Sequence, residues 1–347
     1  MMRKRQLFVA CFVFTLLYVF ILNVTNYQEG EIKPRNKIVE IEGWTVNTTR
    51  NVSEFIFINK SALILPNKLC ETEDFLTVVV LSAPHHFQER NTIRSTWGSE
   101  KFVLNKTISY YFLLGETLND NLQKEILFEA ENFNDILQER FLDSYNNLTL
   151  KSINMMKLIS NHCFSNTKFV MKVDDDIFVN VENLVQMLAS KGDASNIIYG
   201  KKICRAFVIR DSTNKWYVPN YLYNKGMYPD YVSGTAYVFS VDVAEKLLNA
   251  SFSIPIVHLE DIYLTGICAK KANVKLEGNY MFVYRQPKLD FCLMRMGISF
   301  HEFNYSTIHY IYEELKDPNL PEKCAKYKEN VYKGDCKKPK KRRTLSS

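Results

Sequence analysis

The feature that most limits how this chain can fold is an alternation of short apolar runs with segments of helical periodicity. Three runs rich in β-branched residues, FLTVVVLSA from Phe75, TISYYFLLG from Thr107 and KFVMKV from Lys168, are separated by segments with apolar residues every three or four positions. Continuous apolar runs are typical of strands covered on both faces. Strands that alternate with helices predict an α/β fold with a largely parallel sheet flanked by helices.

The third apolar run leads directly into three consecutive aspartates, Asp174, Asp175 and Asp176. One of them could cap the helix predicted in NVENLVQMLAS, but three buried carboxylates need partners. Ligands of open α/β sheets bind at the carboxyl ends of strands, and Mg²⁺ and Mn²⁺ prefer carboxylate oxygens, often shared with phosphate. In an extended segment Asp174 and Asp176 point the same way, whereas Asp175 points back. The run therefore predicts a metal or nucleotide site.

An apolar segment near the N-terminus predicts membrane attachment. Leu7 to Val24 spans 18 residues with Asn23 as the only strongly polar one, and three basic residues precede it in MMRKRQ. The length is near the lower limit for a membrane-spanning helix, and no small-residue cleavage site follows, which favours a retained anchor over a cleaved signal peptide. The basic residues would stay cytosolic, so residues 1–6 form a cytosolic tail, 7–24 the span, and the rest is lumenal.

Glycosylation sites and cysteines agree with a lumenal location. Sequons for N-glycosylation are present at Asn47, Asn51, Asn59, Asn105, Asn147, Asn249 and Asn304. Of the eight cysteines, Cys11 lies in the apolar segment, and most of the other seven would pair in an oxidising lumen. The odd number leaves one cysteine over, free or available for an intermolecular bridge.

The lumenal chain changes character along its length. Residues 25–70 are rich in Asn, Glu, Lys and Thr, which predicts a glycosylated stem with little core of its own. Residues 71–330 form the predicted main folded domain. Within it, 197–240 carries short β-like pieces, IIYGKKI, KWYVP and DYVSGTAYVFS, among aromatic residues that suit a polar, flat-ringed ligand such as a sugar. Residues 331–347 hold much of the net charge of +6, so we expect a solvated, disordered tail and no nucleic-acid partner.

Further charged residues have two interpretations each. Glu260 and Asp261, in HLEDIYLTGICAKKA, could cap a helix or could supply a base, since a hydroxyl proton is removed by a carboxylate or histidine within hydrogen-bond reach. His301 taken alone is more typical of a structural residue than of a ligand. Arg90 and Arg94 could form a solvated face or approach a phosphate. GxxxxGK[ST] and GxGxxG are absent from the sequence, which argues against P-loop kinases and dinucleotide dehydrogenases.

Six segments together resemble the β-1,3-glycosyltransferases, a family that includes β-1,3-galactosyltransferases and β-1,3-N-acetylglucosaminyltransferases. They follow in order from about residue 75 to 310 as ERNTIRSTWG, FVMKVDDDIFVN, KWYVP, YPDYVSGTAYVFS, LEDIYLTGICAKKANV and FCLMRMGISFHEF. The resemblance implies a GT-A-like fold, a UDP-sugar donor, Mn²⁺ or Mg²⁺, and inversion at the anomeric carbon to give a β-1,3 linkage. It implies a single-pass type II Golgi membrane enzyme that acts on a glycan of a glycolipid or glycoprotein. A homodimer is left open.

The resemblance also implies roles for the acidic residues. The three aspartates match the family's Asp-x-Asp motif, so Asp176 would bind the metal together with Asp174 and His301. Asp174 and Asp175 would also face the donor sugar and ribose. Asp261, rather than Glu260, would be the catalytic base.

Other residues fall on the donor or the acceptor side. On the donor side we place Arg90, Arg94, Trp97 and Lys172. As platforms for the acceptor or for the donor sugar we place Trp216, Tyr217, Tyr228 and Tyr231, with Gly234 beside them, although each of these aromatic residues could equally be an ordinary core residue.

One position departs from the family pattern. Many relatives carry a cysteine where this chain has Val232, and a partner such as Cys268 would then be free or paired elsewhere. The expected function is metal-dependent, inverting transfer of a hexose, galactose foremost, to the 3-hydroxyl of an acceptor glycan. Transfer of N-acetylglucosamine or N-acetylgalactosamine by the same kind of enzyme, or a non-catalytic lumenal glycan-binding protein, are the alternatives.

Overall fold

The computed structural model describes residues 39–58, 62–285, 288–325 and 336. The predicted cytosolic tail (1–6), the predicted anchor (7–24), the start of the stem, Asn59 and most of the basic tail lie outside these residues. Among the residues that are described, no helix has both the length and the apolar character needed to cross a membrane.

The strands of the described chain form one large sheet and one small one. In chain order they are β1 (Asp74–Leu81), β2 (Phe102–Val103), β3 (Lys106–Glu116), β4 (Ile136–Leu142), β5 (Thr167–Asp174), β6 (Phe178–Val179), β7 (Ile197–Ile203), β8 (Tyr231–Ser240), β9 (Lys275–Gly278), β10 (Phe282–Val283) and β11 (Ser299–Phe300). The large sheet has the order β2-β3-β1-β5-β8-β7-β9, with β4 beside β3. The small sheet has the order β10-β11-β6.

Helices connect most of these strands. In chain order they are α1 (Phe87–Ser95), α2 (Asp120–Phe133), α3 (Leu148–Leu158), α4 (Val181–Ala189), α5 (Asp242–Ser251), α6 (Ala269–Lys271), α7 (Phe291–Met296), α8 (Tyr305–Glu314) and α9 (Leu320–Cys324). A π-helical segment, Ile159–Cys163, extends α3, and a second one, Ile262–Cys268, precedes α6. The result is a mixed α/β structure with a mostly parallel central sheet flanked by helices.

The predicted alternation of strands and helices is confirmed. The three apolar runs are β1, β3 and β5, and β1 pairs in parallel with both neighbours. The register sets Leu81 beside Asp174, so the strands end together at one edge of the sheet. The strand β8 runs antiparallel between β5 and β7. The β-like piece predicted at KWYVP is wrong, since residues 215–219 form turns and irregular chain.

Burial on both faces explains why the first run is continuously apolar. Val78 and Val80 of β1 belong to one core cluster, and Val79 and Leu81 belong to the cluster on the opposite face. Because side chains alternate along a strand, both faces need apolar residues. The central strands are therefore fixed from two sides, which gives the residues at their carboxyl ends a rigid base.

Part of the predicted stem contributes to the core. Trp44, Val52 and Ile56 are at most 3% exposed and join one of the two core clusters. Glu40 and the described residues after it belong to one compact unit. The chain from residue 40 to 58 is thus packed against the domain that follows it.

The disulfides agree with the expected odd cysteine. Three pairs form: Cys70–Cys163, Cys204–Cys336 and Cys292–Cys324. Cys268 is buried and is in no disulfide, as the valine at position 232 led us to expect.

Candidate active site

Lys172 lies between the two acidic groups of the site. Its side chain is only 2% exposed, and its Nζ lies 2.5 Å from Asp174 Oδ1 and 3.9 Å from Glu260 Oε2. The ammonium also donates to the carbonyl of Gly234 in β8. Burial alone would lower the pKa of Lys172, but the charges of Asp174 and Glu260 outweigh it and raise the pKa. A buried cation therefore joins two acidic segments that are distant in sequence.

Asp174 and Asp175 are each held at 2.8 Å or less by a basic side chain of the protein. Burial raises the pKa of Asp174 to about 6, with Lys172 opposing the shift. Asp175 accepts a hydrogen bond from His86 Nδ1 at 2.8 Å. Burial would raise the pKa of Asp175, but the hydrogen bond and charge of His86 hold it below its usual value. These two carboxylates are therefore compensated by Lys172 and His86.

Asp176 is the aspartate that lacks a complete set of partners. Its Oδ2 lies 3.4 Å from His301 Nε2, and its Oδ1 is buried with no hydrogen-bond partner among the described residues. His301 Nδ1 donates to the Tyr284 carbonyl at 3.2 Å, which leaves Nε2 facing Asp176. Burial would lower the pKa of His301, but Asp176 outweighs it and raises the pKa. An orphaned carboxylate oxygen beside an imidazole nitrogen is chemically suited to a divalent cation.

The described side chains near Asp176 do not form a closed metal site. Within the described ranges, no group of three or more His, Cys, Asp and Glu side chains is arranged to hold a metal ion. Mg²⁺-like cations commonly bind through one or two carboxylates and take their other ligands from substrate phosphates and water. The pair of Asp176 and His301 fits that kind of site rather than a closed protein cage.

The second acidic group begins the π-helical segment Ile262–Cys268. Glu260 is 6% exposed and accepts a hydrogen bond from the Tyr237 hydroxyl at 2.8 Å, and burial raises its pKa to about 7. Asp261 is only partly buried, and its carboxylate accepts from the amides of Ile262 at 2.8 Å and Gly234 at 3.1 Å. Burial raises the pKa of Asp261, while these amides moderate the shift. Asp261 is thus the more accessible of the two carboxylates.

Gly234 is placed where the β8 backbone approaches both carboxylates. A Cβ at this position would lie 3.0 Å from Glu260 Oε2 and 3.2 Å from Asp261 Cβ. Any side chain would therefore push the acidic pair away from the strand. Gly234, which we predicted on the acceptor or donor-sugar side, therefore affects the site by leaving room for Glu260 and Asp261 beside β8.

Arg90 and Trp97, which we predicted on the donor side, lie behind the loops that follow β1 and β5. Arg90 is fully buried, donates to the carbonyls of Ala83 and Pro84, and pairs with Glu129 at 2.7 Å. The indole of Trp97 is fully buried and donates to the Ile177 carbonyl at 3.1 Å. Arg90 and Trp97 therefore hold the loops that follow β1 and β5.

Arg94, four residues after Arg90, is also engaged by acidic side chains. It pairs with Asp135 and Glu129, each at 2.8 Å. The structure does not bring its guanidinium to the three aspartates.

The predicted acceptor aromatics differ in exposure. Trp216 is 55% exposed, whereas Tyr217 and Tyr231 are half-buried. Tyr228 is 7% exposed, and its hydroxyl is buried without a hydrogen-bond partner in the described part of the chain. Burial raises the pKa of Tyr231, and the charge of Asp261 adds to the shift, which places this ring near the acidic pair.

Three residues of the site were not predicted from the sequence. They are His86, Tyr145 and Tyr237. His86 follows β1 and Tyr145 follows β4, so both come from the strand edge that carries the aspartates. Recognising β4 as a strand would have drawn attention to Tyr145, but its polar residues hid the pattern. Tyr237 faces Lys172 across the β5–β8 pair, which only the antiparallel register reveals.

Most of the sequons lie at accessible positions. Asn47, Asn51, Asn105, Asn249 and Asn304 are exposed. Asn147 is half-buried, and its Nδ2 donates to the Leu142 carbonyl at 2.9 Å.

Comparison with known proteins gives consistent matches. The family model described as Galactosyltransferase matches residues 88–279. Beta-1,3-galactosyltransferase 1 of Mus musculus is 32% identical over 312 residues, which cover 88% of this chain and 94% of the relative. Beta-1,3-galactosyltransferase 5 of Homo sapiens is 35% identical over 263 residues, which cover 74% and 83%. The matched segment includes both acidic groups of the site.

Proposed function

The chain belongs to the galactosyltransferase family, and from this premise we propose that it transfers galactose from UDP-galactose to the 3-hydroxyl of an acceptor glycan. As a member of that family it is a glycosyltransferase. The proposed product is a β-1,3 linkage formed with inversion on a glycolipid or glycoprotein. The proposed fold type is GT-A-like, in keeping with the mostly parallel sheet and the acidic residues at its edge.

The observation that carries this proposal is the placement of two acidic groups on either side of Lys172. One group, Asp174 to Asp176, ends β5 and suits the diphosphate side of a donor. The other, Glu260 and Asp261, begins a separate helix and suits the acceptor side. A single displacement needs the donor and the acceptor held side by side. Two adjacent acidic groups would offer one binding region for each of them.

Asp261 is the proposed catalytic base. It would accept the proton of the acceptor 3-hydroxyl as that oxygen bonds to the anomeric carbon. The bond from the anomeric carbon to the UDP oxygen breaks in the same step, and UDP leaves with the electron pair. Attack from the face opposite to UDP inverts the configuration. A raised pKa makes Asp261 a stronger base, and its partial exposure lets a hydroxyl approach.

Asp176 and His301, with Asp174 beside them, would hold Mn²⁺ or Mg²⁺. The support for this is the orphaned Asp176 Oδ1 and the His301 Nε2 that faces Asp176. A divalent cation there would offset the negative charge of the diphosphate. The protein's own part is to fix the ligands: His301 is oriented by the Tyr284 carbonyl, and the Asp176 carbonyl accepts from the Phe303 amide at 3.1 Å.

The remaining residues are assigned by position. Asp174, Asp175 and Lys172 would contact or orient the donor, and Arg90 and Trp97 would act from behind by holding the donor-side loops. Arg94 would act one step further away, through Glu129, the partner of Arg90. Tyr228 and Tyr231 would line the acceptor side with Trp216 and Tyr217.

We further propose that the enzyme works in the Golgi lumen as a single-pass type II membrane protein. The apolar run at 7–24 and the exposed sequons support this setting. The three disulfides support an oxidising compartment.

A donor screen tests the proposal. The detergent-solubilised full chain is incubated with Mn²⁺, a panel of glycan acceptors, and UDP-galactose, UDP-N-acetylglucosamine or UDP-N-acetylgalactosamine. We expect transfer of galactose, loss of transfer with EDTA, and recovery with excess Mn²⁺. Transfer of only an N-acetylhexosamine would reassign the donor, and no turnover of any UDP-sugar would overturn the proposal.

A further inference from the structure

Tyr145 lies at the mouth of the candidate active site, outside the residues that the proposed function uses. It begins a short 3-10 turn between β4 and α3 and is 45% exposed. Its hydroxyl is hydrogen-bonded to the Trp216 side chain, and the indole N–H is the donor because an indole cannot accept. Lys215 Nζ lies 4.7 Å from the centre of the Tyr145 ring. The exposed rings of Tyr145 and Trp216 therefore form an aromatic surface at one side of the site, which we call the wall.

The wall belongs to the side of the acidic pair. Burial, followed by the charges of Asp261 and Asp174, raises the pKa of Tyr145. The Tyr145 hydroxyl is thus within electrostatic reach of Asp261, the proposed base, as well as of Asp174.

The two rings come from separate connections, and Trp44 ties these connections together. The Trp44 indole donates to the Asn146 carbonyl at 2.8 Å, next to Tyr145. The Trp44 carbonyl accepts from the Tyr221 hydroxyl at 2.7 Å, in the connection that carries Trp216. Trp44 is 1% exposed, and its ring packs at 5.4 Å from that of Phe55. One buried residue therefore bridges both halves of the wall.

Further bonds reinforce the bridge. Asn146 Nδ2 donates to the Glu42 carbonyl at 3.1 Å, and the Ile41 amide donates to the Tyr221 hydroxyl at 3.0 Å. Arg50 donates to the Leu222 carbonyl at 2.7 Å and accepts from the Ile256 amide at 2.9 Å. The segment 40–58 thus fastens the turn of Tyr145, the connection of Trp216 and the chain leading into Glu260 and Asp261.

We propose that Tyr145 and Trp216 form a platform for a sugar ring of the acceptor, and that Trp44, within the predicted stem, is the positioning residue that holds the platform together. This inference rests on the proposed function. Exposed aromatic faces beside a few fixed polar groups are typical of sites for polar ring ligands. The segment that joins the domain to its predicted anchor is therefore a structural part of acceptor binding.

Steady-state kinetics of the full-length enzyme test the platform. Tyr145→Ala should raise the acceptor KM about fivefold to tenfold, the range expected for loss of one aromatic contact. Trp44→Phe keeps an aromatic ring in the core and removes the indole N–H that bonds to the Asn146 carbonyl, so we expect an acceptor KM raised about threefold. Donor KM and hydrolysis of the UDP-sugar without acceptor should stay within about twofold in both variants. The matched control is Tyr310→Ala, an equally exposed tyrosine on α8 at 49%.

The outcomes separate this inference from the proposed function. If the wild-type enzyme transfers no sugar, the proposed function fails. If the wild type transfers galactose but Tyr145→Ala leaves the acceptor KM unchanged, or shifts donor and acceptor KM equally, the platform is overturned. If Tyr145→Ala behaves as expected and a folded Trp44→Phe matches the wild type, the positioning role of Trp44 is overturned. Melting temperatures of all variants identify any that fail to fold, and in that case Trp216→Ala provides the second test of the platform.

Discussion

The Lys172 ammonium lies 2.5 Å from the Asp174 carboxylate at the end of the central strand β5, with the lysine buried and the aspartate partly exposed. Two residues of one strand, both pointing to the same face, thus form an ion pair inside the site. The same ammonium reaches Glu260, so it is the electrostatic link between the two halves of the site.

Lys172→Met should lower kcat and move the acidic limb of the pH–rate profile to higher pH. Burial raises the pKa of Asp174 to about 6 and that of Glu260 to about 7, and the charge of Lys172 opposes both shifts. Without this cation, both pKa values rise further. We expect a loss of at least about a hundredfold in kcat near neutral pH, which equals about 2.7 kcal/mol. Lys168→Met, which removes a surface pair with the fully exposed Asp193, is the control. An unchanged pH profile in Lys172→Met would contradict the role of Lys172.

Asp261→Asn should abolish transfer and leave UDP binding intact. Asn keeps one carbonyl oxygen, so it can still accept from one of the two amides that hold Asp261, but it cannot take a proton from a hydroxyl. We expect kcat to fall by about 10³ or more, since general-base catalysis contributes about 10²–10⁴. Calorimetric titration with UDP should give a Kd within about twofold of the wild type. Glu260→Gln should be milder, and the reverse ranking would identify Glu260 as the base.

Asp176→Asn and His301→Gln should both raise the Mn²⁺ concentration needed for half-maximal activity. Each variant removes one of the two protein groups that face the proposed cation position. We expect shifts of about 10- to 100-fold, measured by titrating Mn²⁺ into chelator-treated enzyme. Glu302→Gln, on the exposed residue next to His301, should leave the curve in place. Equal Mn²⁺ curves for all variants would place the cation elsewhere.

The His86–Asp175 pair should make stability depend on pH. The folded-state pKa of His86 is raised above 6.5 by its bond to Asp175, and that of Asp175 is lowered below 3.8. The His86 contribution is fully present below pH 6.5 and is lost as the pH rises through its raised pKa. The Asp175 contribution is present above pH 3.8 and is lost as the pH falls through its lowered pKa.

The melting-temperature difference between wild type and His86→Gln should therefore be largest between pH 3.8 and 6.5 and should shrink above that range. Thermal unfolding followed by circular dichroism across this range measures the difference. His309→Gln, an exposed histidine on α8, should show no such dependence. A difference that grows with rising pH would have the wrong sign for a charged pair.

A form that begins at residue 60 should melt several degrees below one that begins at residue 39. It lacks Trp44, Val52 and Ile56, all of them buried. Each large buried apolar side chain stabilises a fold by about 1.5–3 kcal/mol. Differential scanning calorimetry of the two forms, with the full chain as reference, measures the loss. Equal melting temperatures would show that the segment 40–58 adds nothing to stability.

Local patterns were sufficient to predict the central strands and the helices around them. The runs at β1, β3 and β5 are continuously apolar because each is covered on both faces, and that requirement is visible in the sequence. The place of the three aspartates at the end of β5 followed from the same pattern. The polar strand β4 was missed because Gln138 and Glu139 find buried partners in Gln123 and Lys157, and those partners are supplied by other elements.

The sequence by itself determined the α/β alternation, the position of the aspartates at a strand end, and the residue types that suit a cation and a base. Only the tertiary structure decided how those residues are paired. Lys172 is joined to Glu260, Asp175 to His86, and Trp44 to the turn of Tyr145 by contacts between segments far apart in the chain. The physical reason is that periodicity records whether a side chain is buried, whereas the partner of a buried charge depends on which strands and loops the sheet order brings together.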